Sequence, residues 1–358
     1  MKGNIKVLDK YLKELEYKGL SPKTITPRKF QLTHFCKTIG KPLSKVSRDD
    51  VLEWIAARNV SKMTQRNYRY WIQEFFNFAG NPVEVPKLRV NEKLLTRKEL
   101  VTPEEVGQMI AALDHPRDRA LLHVLYETGS RASEILGLTL KDIDFESTLT
   151  KVRLDGKTGP RVVPIYESVP NLVVWLNYCQ PLGEDESIWQ GLRGPISYSR
   201  LLAITQDVSR KVLGRVISPH RLRHSCATEF LKNPHFTDEM VRLRFGCKPG
   251  SQVVERYSHL VDQDLEAATL AMHQLEPTKE PEKSPLRPIL CPRCGTENPV
   301  GSKFCNTCSL VLDKAEALRI MERDARVDEF LEYLVEHPDE VQKLAKKMRE
   351  EKAKEPQE

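Results

Sequence analysis

Between Ser218 and His259 the chain carries residue types that can act together on a phosphate diester. The stretch opens with SPHRLRHSCATEFL and closes with RFGCKPGSQVVERYSHL. Ser218 and Pro219 suit the cap and first turn of a helix, and the apolar residues Leu222, Ala227, Phe230 and Leu231 predict its buried side. On that helix His220 and Arg223 are three apart and share a face. Tyr257 follows with polar neighbours on both sides, in a segment that offers a phenol no core role. A tyrosine able to attack phosphorus, with a histidine and an arginine to meet the charge, reads as one active site.

Other residues with chemical potential lie upstream. In DRALLHVLYETGSRASEILGLTLKDIDF a helix is predicted to end at Gly129 and another to begin near Ser130. Arg131 then falls in the first turn and Glu134 one turn on, among Leu125, Tyr126, Ile135 and Leu136, so Arg131 should be held by a partner. A purely structural Arg131–Glu134 ion pair is the simplest form of that expectation. After Asp144 the period changes to two, and TLTKVRL, DGKTG and PRVVPI predict two strands joined by a glycine-containing turn. Lys157 sits in the turn, where a lone lysine is ordinarily solvated. Residues 166 to 217 predict further helices around Trp175 and Leu201, with a loop at Gly191 to Pro195.

The elements ahead of this region are helical. Ile5, Leu8, Leu12 and Leu15 form one stripe. A second helix follows Ser21-Pro22 and carries Phe30, His34 and Phe35. A third begins near Ser47 with Val51, Leu52, Trp54 and Ile55 inward, and a fourth spans SKMTQRNYRYWIQEFFNFAG, with Tyr68, Trp71, Ile72, Phe75 and Phe76 at helical spacing. Lys23, Arg28, Lys29, Lys62, Arg66 and Arg69 lie near helix starts and breaks, where cations meet phosphates. Any single lysine there reads as a solvated residue; Lys62, Arg66 and Arg69 are the DNA-binding candidates. From Asn81 to Arg97 the helical period is lost among prolines and basic residues, as in a linker. Thr102-Pro103-Glu104-Glu105 starts a new helix and a new domain.

A chain of 358 residues with 40% apolar content holds two or more domains. Its net charge of +6 permits nucleic acid without requiring it. No apolar run approaches membrane-spanning length, and the amino terminus mixes charge with apolar residues, so a cytoplasmic location and no membrane partner are expected. Four of the eight cysteines are scattered; Cys291, Cys294, Cys305 and Cys308 form two C-x2-C pairs. That pattern predicts a closed, structural zinc site with four cysteine ligands, in a short ribbon that folds only around its metal. Beyond it, Leu318, Met321, Val327, Phe330, Leu331 and Leu334 stripe a helix, and Val341, Leu344 and Met348 mark a second run. Such a stripe calls for a partner, by self-association, on the ribbon or on the catalytic domain.

Taken in order, TGSRASEILGL, DGKTGPRVVPI, SPHRLRHSCAT and GCKPGSQVVERYSHL resemble the tyrosine recombinase family, the phage integrases and Xer-type resolvases. The likeness runs over roughly residues 4 to 272. It implies a mainly α fold: a helical core-binding domain over 1–80, a linker over 81–98, and an α+β catalytic domain of the DNA breaking-rejoining type, with a small β-sheet, over 99–275. A linker over 276–289, the zinc ribbon over 290–312 and a helical tail over 313–358 complete the chain. Arg131 and Arg223 would clamp the scissile phosphate, Lys157 would protonate the leaving 5′ oxygen, and His220 would support the phosphate and assist proton transfer. Tyr257 would form a 3′-phosphotyrosine link, and Glu134 would orient the site. The resemblance implies no cofactor for catalysis, double-stranded DNA as partner, a tetramer on DNA and association with the nucleoid. The family usually places histidine or tryptophan after the glycine where this chain has Gly246-Cys247; a thiol is small and donates weakly. A DNA-binding regulatory relative with a weakened site and a topoisomerase-like nicking-closing enzyme are the alternative functions.

Overall fold

The computed structural model describes residues 2–90, 96–146, 149–179, 182–233, 235–248, 284–339, 343 and 346. Two compact units divide the chain, residues 1–94 and 95–358.

The first unit consists of α1 (Lys2–Tyr17), α2 (Pro22–Thr38), α3 (Arg48–Ala56) and α4 (Lys62–Phe78). Their shared core contains Leu8, Leu32, Phe35, Ile55, Phe75 and Phe76, all buried. Local chemistry fixes the starts. Ser47 caps α3 through a reciprocal bond with Asp50, and Ser61 accepts from the Thr64 amide to cap α4. Phe30, expected with the apolar set of α2, is 69% exposed. The inward face runs through Ile25, Leu32, Phe35 and Cys36 instead, and at 100° per residue position 30 falls on the opposite side. The stretch expected to be a linker is partly structural, since Val83 and Val85 are buried in this core.

The second unit is organised around α6 (Pro116–Thr128), in which Ala120, Leu121, Leu122, Val124 and Leu125 are all fully buried. A helix with so little polar surface must be surrounded. Around it stand α5 (Pro103–Ala111), α7 (Ala132–Leu136), α8 (Val169–Tyr178), α9 (Tyr198–Leu213), α10 (Pro219–Lys232) and the short α11 (Asp238–Arg244). Three antiparallel strands, β1 (Ile143–Phe145), β2 (Thr150–Gly156) and β3 (Gly159–Ile165), form the small sheet in the order β1-β2-β3. The predicted hairpin is β2–β3, closing at the Gly156–Gly159 pair with Lys157 and Thr158 in its turn; β1 adds an edge strand. The loop expected at Gly191 to Pro195 is a tight hairpin of β4 (Gln190–Gly191) and β5 (Gly194–Pro195).

The cysteine segment belongs to the same unit. It contains a hairpin of β6 (Ile289–Leu290) and β7 (Glu297–Asn298) and leads into α12 (Lys314–Glu336). Leu286 joins the core built around α6, and Val300 packs against it. The Tyr166 hydroxyl donates to Glu297 at 2.7 Å. The ribbon is therefore docked on the domain that precedes it.

Candidate active site

Arg131, Arg223 and the unanticipated Arg161 converge on one turn, the C-terminal end of α11. Its three successive carbonyl oxygens each accept from a different arginine. Arg161 Nε donates to the Arg244 carbonyl at 2.8 Å, Arg223 Nη2 to that of Phe245 at 2.6 Å, and Arg131 Nη2 to that of Gly246 at 3.3 Å. Unsatisfied carbonyls at a helix C-terminus carry partial negative charge and favour cations there. Thr158, from the β2–β3 turn, adds a hydroxyl bond to the Gly246 carbonyl at 2.9 Å.

Glu134 braces the cluster from below. One oxygen pairs with Arg131 Nη1 at 2.6 Å and the other with Arg161 Nη2 at 2.7 Å. The expected Arg131–Glu134 pair is thus half of a bridge between two guanidinium groups. Burial opposes ionisation of Glu134, but hydrogen bonds from Arg161 and Arg131 outweigh it and hold the carboxyl below the usual glutamate range. Gly156 makes room for this carboxylate, since a Cβ there would lie 2.2 Å from Glu134 Oε1.

Arg223 is the more enclosed clamp. Its Nη1 donates to the Gly129 carbonyl at 2.5 Å, and its guanidinium lies 5.1 Å from the Phe245 ring centroid. Burial first, and the charge of Arg131 second, pull it down to about 10, which leaves it a cation at neutral pH. Gly129 ends α6 at φ +57°, and a Cβ on it would strike the Phe245 ring at 2.2 Å. That glycine lets the end of α6 approach α11 closely enough for one arginine to reach both.

His220 lies in the first turn of α10, exposed, one turn before Arg223; its ring packs edge-on against His224 at 4.2 Å between centroids. Lys157 is exposed at the tip of the hairpin, next to Thr158. Cys247 is half-buried against the apolar core, and its amide donates to the Arg242 carbonyl at 2.9 Å. Tyr257 lies outside the described residues, as do Val341, Leu344 and Met348.

Arg161 was missed although a signal existed. It occupies the inward phase of β3 with Val163 and Ile165, and an arginine in that phase requires a partner. Arg244 was missed too: its buried guanidinium donates to the carbonyls of Glu127 and Pro164 and ties α11 to α6 and β3.

Of the DNA-binding candidates, Lys62 and Arg66 are exposed on α4. Arg69 donates to the Pro86 carbonyl at 3.1 Å, which pins the extended segment to the helix. Arg66, Lys87 and Arg89 line the groove of about 880 Å³ between them.

Far along the chain, Cys291, Cys294, Cys305 and Cys308 bring their sulfurs within 4.8 Å of one another. Two of the separations are 3.6 Å (Cys291 to Cys308) and 3.5 Å (Cys294 to Cys305). Thiolates about 2.3 Å from a tetrahedral metal stand roughly 3.8 Å apart, so the four fit a single ion.

A family model described as the phage integrase family matches residues 99–264. Tyrosine recombinase XerA of Pyrococcus furiosus is 30% identical over 237 residues, covering 63% of this chain and 80% of that protein. Tyrosine recombinase XerD of Shewanella oneidensis is 27% identical over 286 residues, covering 73% and 94%. In fold the chain is similar to XerH site-specific recombinase bound to palindromic difH substrate, with a TM-score of 0.60 at 19% identity over 74% of this chain and 84% of that one. Together with these relatives, a mainly α domain with a small sheet places the chain in the class of site-specific DNA recombinases. It belongs to the phage integrase family of tyrosine recombinases. The ribbon and α12 lie outside the matched region.

Proposed function

We propose that this recombinase cuts and rejoins duplex DNA through Tyr257, with Arg131 and Arg223 as the two cations on the scissile phosphate. The phenolic oxygen attacks phosphorus, the bond to the 5′ oxygen breaks, and the strand is held as a 3′-phosphotyrosine until the reverse reaction rejoins it. His220 takes the phenol proton and Lys157 supplies one to the departing oxygen. Glu134 keeps the guanidinium of Arg131 aimed. The observation that carries this reading is the capture of two arginines, from the start of α7 and from α10, by adjacent carbonyls of one turn. Fixed guanidinium groups stabilise the added charge of a phosphorane without reorganising.

Duplex DNA is then the substrate, and Lys62 and Arg66 are its contacts in the first unit. Integration, excision and dimer resolution all use this chemistry, with four copies on two duplexes. The four cysteines hold one zinc ion in a structural role, since a full set of thiolates leaves no position open for substrate. No step at the phosphate needs it. A cytoplasmic, nucleoid-associated protein fits that work.

The test is a nicked duplex carrying the DNA that flanks the gene. Wild-type protein is expected to form a covalent protein–DNA adduct, and Tyr257→Phe none. An adduct that survives Tyr257→Phe, or a wild-type protein that never forms one, refutes the assignment. Supercoil relaxation without strand exchange would point to nicking and closing instead.

A further inference from the structure

We infer that Thr158 is a positioning residue: its hydroxyl latches the β2–β3 turn to the turn that ends α11, and so sets where Lys157 stands relative to the arginines. The inference rests on the reading of Lys157 as the acid for the leaving oxygen.

The observation that carries it is one shared oxygen. The Gly246 carbonyl accepts from Thr158 Oγ1 at 2.9 Å and from Arg131 Nη2 at 3.3 Å. A carbonyl oxygen has two lone pairs, and here the lysine-bearing turn and the phosphate clamp take one each. Arg161, from the same hairpin, donates through Nε to the Arg244 carbonyl at 2.8 Å. The hairpin thus grips the end of α11 at its tip through Thr158 and at its second strand through Arg161.

The turn's own geometry leaves Thr158 something to do. A two-residue hairpin turn matches the twist of its strands when its central residues take left-handed backbone. Lys157 and Thr158 do not, and the reversal falls on Gly159 at φ +102°. The direction of the tip is then set by contacts from outside the hairpin. Gly156, just before Lys157, lies so close to Glu134 that a Cβ on it would stand 2.2 Å from the carboxylate. Lys157 is therefore located from both sides by residues that also hold Arg131. The β-branch of threonine limits its hydroxyl to few rotamers, which suits a directed bond. Thr158 is exposed, so the bond adds little to stability. Its effect lies in placement, because a general acid works only within hydrogen-bond reach of the atom it protonates.

The test separates proton delivery from the rest of the reaction. Nicked duplexes carrying the DNA that flanks the gene are made with the ordinary diester or with sulfur in place of the leaving 5′ oxygen. In the first, the bond from phosphorus to oxygen breaks and the oxygen takes a proton from Lys157 to become a 5′ hydroxyl. In the second, sulfur leaves as a thiolate and needs no acid, since a thiol ionises far more readily than an alcohol. Thr158→Val is expected to slow adduct formation roughly fivefold on the oxygen substrate, the loss of one hydrogen bond, and to leave the sulfur substrate near the wild-type rate. Thr158→Ser should restore most of the oxygen rate. In a Lys157→Ala background Thr158→Val should cost nothing further, because the residue it positions is gone. The sulfur substrate also controls for folding, as a misfolded variant is slow on both. Equal slowing of both substrates, slowing of neither, or the full loss repeated in the Lys157→Ala background overturns the inference. Lys157→Ala alone tests the reading beneath it, and should slow the oxygen substrate by about a hundredfold or more with relief by sulfur. Where that relief is seen, a failure of Thr158→Val counts against the latch alone; where it is not, the acid assignment falls and the latch falls with it.

Discussion

The arginine cluster and the cysteine ribbon gather side chains that repel or react, and they hold them together by opposite means. In the cluster, three guanidinium groups are restrained by a carboxylate and by backbone carbonyls that the fold itself supplies. The site is assembled before any ligand arrives. In the ribbon, four thiols come together beside a pair of two-residue strands, close enough for one ion to bridge them. One region is held by the protein's own groups, whereas the other presents a donor set that an ion could hold.

The sharpest way to break that contrast is to withdraw the metal. Cys291→Ser, or chelation of the wild type, should lower metal content and make residues 284–313 accessible to protease, because binding energy at such a site is folding energy of roughly 10 kcal/mol or more. The cluster should survive, read as a cooperative transition of the core around α6 that persists at a lower temperature, since Leu286 and Val300 leave that core. Unaltered metal content in Cys291→Ser would remove the ribbon from the comparison altogether.

Glu134→Gln attacks the other side. It leaves Arg131 and Arg161 without the charge between them, and breaking a buried pair costs about 3–5 kcal/mol; the partial exposure of Arg131 puts the expectation at the lower end. Urea unfolding measures that loss, with metal content unchanged. A smaller effect is expected for Gly156→Ala, whose Cβ would displace the carboxylate by crowding alone, about 1–3 kcal/mol. Adduct formation should fall further than stability in this variant, since the brace moves before the fold fails.

Acid gives the smallest effect. Glu134 ionises more readily in the folded chain than in the unfolded one. Its contribution is therefore fully present above the ordinary glutamate range and is lost as pH falls through the lowered folded value. The stability difference between wild type and Glu134→Gln should shrink over that window. A constant difference would mean that the carboxylate's charge is not what joins the arginines.

Much of this was legible in the sequence. The Arg131–Glu134 pair was legible because helical spacing sets the two side chains one turn apart, and the clustering of the cysteines because two C-x2-C pairs bring four sulfurs together. The β2–β3 hairpin followed from its period of two, although its partner β1 was too short to register. Arg161 was hidden because its requirement arises from strand phase and from a carboxylate on another element. The partners of Arg223 were beyond reach for a different reason: carbonyl oxygens belong to every residue and leave no mark on residue type. Val83 and Val85 were lost among prolines, where alternation over three positions carries too little signal.

The turn that ends α11 bears on how this recombinase can change its sequence. Position 247, where the family resemblance leads one to expect histidine or tryptophan, carries a cysteine, and the three oxygens that hold the arginines belong to residues 244 to 246. Contacts made by main chain are indifferent to side-chain replacement as long as the path of the turn is kept, and Gly246 keeps it at φ +56°. Drift at 247 is thereby separated from the alignment of the arginines. A lineage can exchange that residue and later exchange it back without rebuilding the cluster in between.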